Sequence, residues 1–318
     1  MPRHSSTFWS CDWGTTSFRF RLVESGKVLR EYSDATGCRT LFDNSSSNHN
    51  RIARQEAFEN HLRKVLASWS EADLKPLPLF ISGMASSTIG WQELSYAPLP
   101  LRLDASNLRV KAIDWSSPPS VSHTFLISGA ASETEMMRGE ETEAIGLFHS
   151  LQSPPARATL ILPGTHSKHL TIANGAITDI QTFMTGELFE VLSKHSVLRA
   201  SLDLSVSVDP VAFKNGLDRV RLHGLPSSLF QTRTRQVLGR SSPQSNASFL
   251  SGVLIGSELA SLRAAGDILI AGPNSVRDLY ALAAAHLGLI PAHVFSAEQV
   301  QLAVPTAHEL ILSSLQNS

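Results

Sequence analysis

Residues 12–17 read Asp-Trp-Gly-Thr-Thr-Ser, and residues 163–167 read Pro-Gly-Thr-His-Ser. Each stretch follows a short apolar run, TFWSCDW at 7–13 and ATLIL at 158–162. From Gly14, Gly26 lies at offset 12 and Gly37, after Thr36, at offset 23. From Gly164, Gly175 lies at offset 11 and Gly186, after Thr185, at offset 22. Turn residues are common, and coincidence is the plain alternative. A single slipped position over such a span favours a duplicated strand–turn–strand–turn–strand unit, about 150 residues apart. Two domains are therefore expected, residues 1–152 and 153–318, with Pro154-Pro155 at the boundary.

The pattern extends outward from the two turns. Residues 18–24 (FRFRLVE) alternate, which predicts a strand with one wet face, and Ser25-Gly26 predicts a tight turn into a third strand at 27–33. Residues 44–50 form a polar loop, expected to be mobile. Over 53–72, Phe58, Leu62, Val65, Leu66 and Trp69 share one side of a helix. Runs at 78–83 and 123–129 read as buried strands, and 139–149 as a helix. In the second half, strands are expected at 168–173, 177–184, 267–271 and 292–295. Helices are expected at 187–195, 248–265 and 276–287, with a helical tail on either side of Pro305. Residues 203–247 read as irregular.

The first turn has chemistry to offer. Gly14 lets the backbone approach a ligand. Consecutive amides and the Thr15 and Thr16 hydroxyls make a donor-rich hollow for phosphate oxygens. Asp12 is suited to Mg²⁺, usually through water. An ordinary hairpin with an Asx cap is the bland alternative, and the second copy at Gly164, Thr165 and His166 weighs against it. Glu140 and Glu141 fall in the first turn of a helix, where the macrodipole favours ionised carboxylates and where a general base could sit. Acidic helix starts are also common as plain caps. Arg138 could grip a substrate carboxylate or make a surface pair. Lys168 is a further phosphate or carboxylate partner. His166 and His169 have zinc-like spacing, but on a strand they point to opposite faces.

Composition narrows the field. The chain has 318 residues, 27 Lys+Arg against 28 Asp+Glu, and only 17% charged residues. That balance argues against a nucleic-acid footprint. No 18-residue apolar run suggests a membrane span, and MPRHSSTFWSCDWG has no stretch long enough for a secretory signal. Two cysteines, Cys11 and Cys38, fit a reduced, cytoplasmic setting. The triplets beginning at Asn44 and Asn246 read as chance glycosylation matches. P-loop, H-E-x-x-H, G-x-S-x-G and protein-kinase signatures are missing. A homodimer is left open.

Taken in order, D-W-G-T-T-S at 12–17, S-G-M-A-S-S-T-I-G-W at 82–91, M-R-G-E-E-T at 137–142, P-G-T-H-S-K at 163–168, F-M-T-G-E-L at 183–188 and F-L-S-G-V-L-I-G-S-E at 249–258 carry a resemblance. The chain resembles the 2-dehydro-3-deoxygalactonokinases, sugar-acid kinases of the actin-like, hexokinase-like ATPase superfamily. The resemblance implies an α/β fold of two ribonuclease H-like domains, mixed sheets flanked by helices, with ATP in an interdomain cleft. It implies Asp12 directed to Mg²⁺, with Gly14, Thr15 and Thr16 as the first phosphate loop and Gly164, Thr165 and His166 as the second. Gly272, Pro273 and Asn274 would sit by the adenosine, and helix 248–258, with Gly252 and Gly256, would line that pocket. Related carbohydrate kinases place a Gly-Asp pair at a helix start, and Gly139-Glu140 matches it. Glu140 is thus the expected base, with Glu141 as the alternative. Thr36, Gly37, Gly83, Met84, Ser86 and Trp91 would border the sugar acid, and Arg138 or Lys168 would hold its carboxylate. The expected reaction is phosphorylation of 2-dehydro-3-deoxygalactonate at the 6-hydroxyl. Another keto-sugar acid as acceptor, or a non-catalytic sensor on the same scaffold, are the competing readings.

Overall fold

The computed structural model describes residues 6–44, 51–69, 76–205, 207–262 and 266–316. The expected loop at 44–50 lies outside the described residues apart from Asn44, which ends a helix. Two compact units emerge: residues 1–154, 175–180 and 298–318, and residues 155–174 and 181–297.

The first unit opens with a meander, β1 (Thr7–Trp13), β2 (Phe18–Glu24) and β3 (Lys27–Asp34). Ser25 and Gly26 both take positive φ (49° and 77°), the hairpin turn geometry that matches strand twist. Phe8, Trp9, Cys11 and Trp13 are buried, because β1 is central and covered on both faces. β4 (Leu77–Gly83) and β8 (Val121–Ile127) extend the sheet in parallel, and β7 (Val110–Ile113) closes it antiparallel, in the order β3-β2-β1-β4-β8-β7. β5 (Ala97–Pro98), β9 (Ala130–Ala131) and β10 (Met136–Met137) form a small separate sheet. β6 (Leu101–Arg102) pairs with Ala176 and Ile177.

The alternation of β2 does not leave a fully wet face. Arg21 is 2% exposed, and its Nε donates to Glu31 at 2.6 Å. Helices α1 (Cys38–Asn44) and α2 (Arg51–Ser68) cover one face, and Phe58 of α2 packs on Trp13 with ring centroids 4.7 Å apart. α3 (Glu140–His149) also belongs to this unit.

The second unit repeats the plan. β11 (Arg157–Leu162) and β12 (Ser167–Ala173) lead into β13 (Ala176–Phe183), whose residues 176–180 group with the first unit, and β14 (Asp267–Ile270) and β15 (His293–Val294) continue in parallel. The order β15-β14-β11-β12-β13 mirrors β8-β4-β1-β2-β3, with parallel and antiparallel neighbours matching wherever both are defined. Each unit is thus a mixed sheet of the ribonuclease H-like plan flanked by helices. α4 (Thr185–His195) follows the meander as α1 does in the first copy.

One expectation needs correction. The stretch read as irregular holds α5 (Pro210–His223), α6 (Leu225–Leu229), α7 (Gln231–Val237) and the first turns of α8 (Pro243–Ala260). Asp209 caps α5 by accepting from the amides of Val211 and Ala212, and Pro210 is pre-set for the first helical position. Ser242 and Pro243 do the same for α8. α9 (Asn274–His286) packs beyond α8. The tail is one helix, α10 (Ala297–Gln316), with Pro305 inside it. Burial of Ala303, Val304, Ala307, His308 and Ile311 outweighs the helical bond that proline forfeits. Residues 298–318 group with the first unit. The cause is close packing. A Cβ on Gly146 of α3 would lie 1.7 Å from the Ala303 carbonyl oxygen, and His308 Nδ1 lies 2.8 Å from Ser10 Oγ.

Candidate active site

In the first unit the turn after β1 is closed by the Gly14 amide donating to the Ser17 carbonyl at 2.8 Å. Thr15, Thr16 and Ser17 are exposed. The start of α1 is pressed against this turn: Cys38 N–H donates to Gly14 O and Arg39 N–H to Thr15 O, both at 3.0 Å. Gly37 is required there, since a Cβ would fall 2.3 Å from the Thr15 carbonyl oxygen. Thr36 is held by its amide donating to Asp34 and its carbonyl accepting from Trp13 Nε1.

The ends of β1, β4 and α3 converge. A Cβ on Gly83 (φ 86°) would lie 2.7 Å from the Trp13 carbonyl oxygen, and one on Gly139 (φ 108°) would lie 3.4 Å from Gly83 Cα. This brings the carboxylates at the helix start toward Asp12. Asp12 is 29% exposed and 3.6 Å from Arg19 Nη1. Burial raises its pKa, with Arg19 and Arg21 opposing. Glu140 Oε2 accepts from the Arg138 amide at 3.0 Å. Glu143, which sequence reasoning overlooked, is pushed up to about 7 by burial and then by Asp12 and Glu140. Asp12, Glu140 and Glu143 thus share one electrostatic field.

Other expected acceptor-side residues point elsewhere. Glu141 is fully buried and turns back on its own helix start, accepting from Gly139 N–H at 2.7 Å and from Thr142 Oγ1 at 3.0 Å. Burial and Glu140 push its pKa up to about 8, so it is mostly protonated near neutral pH. Trp91, 3% exposed, is core, stacked near Phe58. Arg138 spends its guanidinium on the Ser86 carbonyl (2.6 Å), the Ser86 hydroxyl and the Leu94 carbonyl (3.2 Å), and lies over the Tyr96 ring at 4.2 Å. It therefore fastens the 84–96 segment, and Ser86 is buried beneath it. Met84 is half-buried against the core.

In the second unit, a cavity of about 550 Å³ opens beside the second turn. Pro163, Gly164 and Thr165 form one edge, with Thr185 and Gly186 of α4. Gly186 repeats the role of Gly37: a Cβ there would lie 2.4 Å from the Gly164 carbonyl oxygen, and Glu187 N–H donates to Thr165 O at 3.0 Å. The walls are largely apolar, including Leu204, Val208, Leu254, Val276 and Leu279, with Asp203, Gln244, Ser248 and Ser251 as polar points. Pro273 lines it. Gly272 (φ 134°) sits on Pro163, and exposed Asn274 opens α9.

Gly252 and Gly256 do not line this cavity. They are the contact of α8 with α5, where a Cβ on Gly252 would meet the Phe213 carbonyl oxygen at 2.0 Å and one on Gly256 the Val220 side chain at 2.8 Å. The opposite face, Gln244, Ala247, Ser248 and Ser251, lines it instead. That face lies at helical spacing, and the signal that marks it is Ser242-Pro243 at the helix start. Lys168 is buried, with Nζ donating to Thr182 at 3.1 Å. His166 is exposed and 2.6 Å from Glu187, whereas His169 is buried on Glu258, so the pair shares no zinc site. No group of three His, Cys, Asp or Glu side chains fit to hold a metal occurs among the described residues.

Comparison with known proteins identifies the lineage. The family model for 2-keto-3-deoxy-galactonokinase matches residues 12–304. The chain belongs to that family. It is accordingly a sugar-acid kinase, a phosphotransferase with an alcohol acceptor. Within the family, a probable 2-dehydro-3-deoxygalactonokinase of Rhizobium meliloti (strain 1021) is 31% identical over 315 residues, covering 94% of this chain and 96% of that relative. The Escherichia coli (strain K12) 2-dehydro-3-deoxygalactonokinase is 29% identical over 265 residues, 81% of either chain. A crystal structure from Sinorhizobium meliloti, assigned to the same kinase type, superposes with a TM-score of 0.80 at 28% identity, covering 96% of this chain and 99% of that one. No helix among the described residues is long and apolar enough to cross a membrane.

Proposed function

We propose that this kinase transfers the γ-phosphoryl group of ATP, with Mg²⁺, to the 6-hydroxyl of 2-dehydro-3-deoxygalactonate. The carrying observation is that one backbone device occurs twice in different chemical company. In the first unit it sits beside Asp12, Glu140 and Glu143, and in the second at the edge of the 550 Å³ cavity.

The second-unit residues suit a nucleotide. The cavity falls in the range that encloses most of a ligand of this size. Its apolar walls suit a base, and the turn amides with the start of α4 suit phosphates. On the other side, the carboxylate oxygens of Asp12 and its neighbours are the donor type Mg²⁺ takes. When bound, Mg²⁺ neutralises phosphate charge that would otherwise repel the incoming oxygen.

The chain's own residues do the rest. Thr15 and Thr16 donate to phosphate oxygens from one turn, and Gly164 and Thr165 from the other. Glu140 takes the proton of the acceptor hydroxyl while the new O–P bond forms and the bond to the departing ADP oxygen breaks. Its Oε2 is held by the Arg138 amide, which leaves Oε1 for the hydroxyl. Glu141 is unsuited, being buried and largely protonated. Thr36, Gly37, Gly83 and Met84 border the acceptor, and Arg138 shapes that border by anchoring 84–96. Both cysteines are free and buried, which supports a cytoplasmic setting.

The test is ADP release from Mg·ATP with 2-dehydro-3-deoxygalactonate, its gluconate epimer and a no-acceptor blank. Strong galactonate-dependent turnover is expected. Turnover with neither acid, in protein that still binds ATP, sinks the acceptor assignment.

A further inference from the structure

Glu258 on α8 is 2% exposed, and its two oxygens accept four side-chain donors, two each. Oε1 accepts from Ser167 Oγ at 2.6 Å and His169 Nε2 at 2.9 Å. Oε2 accepts from Tyr280 OH at 2.6 Å and from Thr185 Oγ1. An ionised carboxylate offers about four lone-pair sites, so this one is saturated. Burial alone would raise its pKa, but the bonds from His169, Ser167 and Thr185 outweigh that and hold it below the ordinary value.

The donors come from strategic places. Ser167 is the first residue of β12, directly after the second turn. Thr185 opens α4, and its neighbour Gly186 is the residue pressed against Gly164. Thr185 and Tyr280 both line the cavity. His169 is itself braced against the Phe183 ring at 4.6 Å. One carboxylate therefore ties together the strand leaving the turn, the helix start packed on it, and the cavity wall.

We propose that Glu258 is the positioning residue of the nucleotide site, fixing the Gly164–Thr165 turn, Thr185 and Tyr280 in the geometry that accepts the nucleotide phosphates. This rests on reading the cavity as the nucleotide site. Glu258 touches no ligand and acts through its four partners. Its loss therefore separates nucleotide from acceptor: loosened partners weaken one and leave the other.

The experiment measures KM for both substrates, and the calorimetric Kd for Mg·ADP, in the full chain carrying Glu258→Gln. Nucleotide KM and Kd are expected to rise about tenfold, the scale seen when an orienting partner is removed, while the sugar-acid KM stays within about twofold. Glu258→Asp, which keeps the charge on a shorter arm, should recover part of the loss. Equal shifts in both KM values, or none, overturn the proposal. Should Glu258→Gln fail to fold, Ser167→Ala takes its place. It removes one donor from outside the cavity lining, and nucleotide affinity unchanged in it also overturns the proposal. Ala247→Trp, which fills the cavity, is the control for the underlying reading. Nucleotide binding that survives Ala247→Trp breaks the cavity assignment and this proposal with it. Binding abolished there but unmoved by Glu258→Gln breaks the positioning role alone.

Discussion

The turn at 14–17 and the turn at 164–167 share a backbone plan down to the glycine that presses on each, Gly37 and Gly186. Their surroundings differ. Asp12 stands two residues before Gly14, whereas Leu162 holds that place before Gly164. Around the first turn, burial raises the pKa of Asp12 and of Glu143, and Asp12 and Glu140 add to the rise at Glu143. Beneath the second, a carboxylate is satisfied by four donors and its pKa is lowered. A duplicated scaffold has thus been given two chemical settings by side chains alone, and the proposed function assigns the first turn to the reacting end and the second to the phosphate donor.

The largest expected effect tests the first turn. Glu140→Gln should lower kcat by about 10²–10⁴-fold, the usual weight of a general base, with both KM values little changed. Near-full turnover in a folded variant would move the base elsewhere, with Glu143 next in line. Asp12→Asn should cost about 10²–10³-fold, the scale for losing one preorganised electrostatic group.

Glycine substitutions probe the shared plan. Gly37→Ala and Gly186→Ala each push a methyl into backbone at 2.3 and 2.4 Å. Each should destabilise by about 1–3 kcal/mol, as overpacking does, read from thermal midpoints. Their kinetic signatures should part: Gly186→Ala raises nucleotide KM, and Gly37→Ala lowers kcat. Identical signatures would mean that the two turns act as one.

The smallest effects are in pH dependence, where individual buried groups should differ in sign. Glu141 in the folded first unit titrates near 8 rather than near 4.5, so between those values the folded chain holds a proton that the unfolded chain releases. Stability therefore falls as pH rises through that window. His308, pushed down to about 3 by burial and then Arg21, stays neutral while the unfolded chain takes up a proton below about 6.5. Stability there falls as pH drops. Glu258 lies below its ordinary value, so its contribution is present at neutral pH and lost only on acidification. Thermal scans at pH 6 and 9 should show an alkaline loss that Glu141→Gln reduces, Glu143 supplying the remainder, and that Glu258→Gln leaves in place.

Much of the fold was legible because the duplication wrote itself in turn residues whose backbone demands are strict. Gly14 to Gly37 and Gly164 to Gly186 could be aligned without any knowledge of packing. The helices at 210–237 were not, since their signal lies in caps such as Asp209-Pro210 rather than in a clean apolar stripe. In the proposed site, Asp12 and Glu140 are named from motif and helix position. Whether a side chain turns toward a ligand or into the protein is not legible there: Glu140 and Glu141 are adjacent in sequence and opposite in environment. Gly252 and Gly256 show a related ambiguity. A small residue on a helix marks close approach, and here the approaching group is the backbone of α5.

The placement of α10 has a consequence for how the chain is made. Its residues seat Ala303 on Gly146 and His308 on Ser10, within a sheet begun at the seventh residue. A ribosome must deliver the whole of 181–297 before that helix exists. Throughout that interval the buried positions it covers, Ser10 and Gly146 among them, stand open. The second unit can thus complete its own core during translation, while the first waits for a segment about 150 residues downstream of its own α3. Chaperone dependence and proteolytic sensitivity of nascent chains should accordingly concentrate in the half that emerges first.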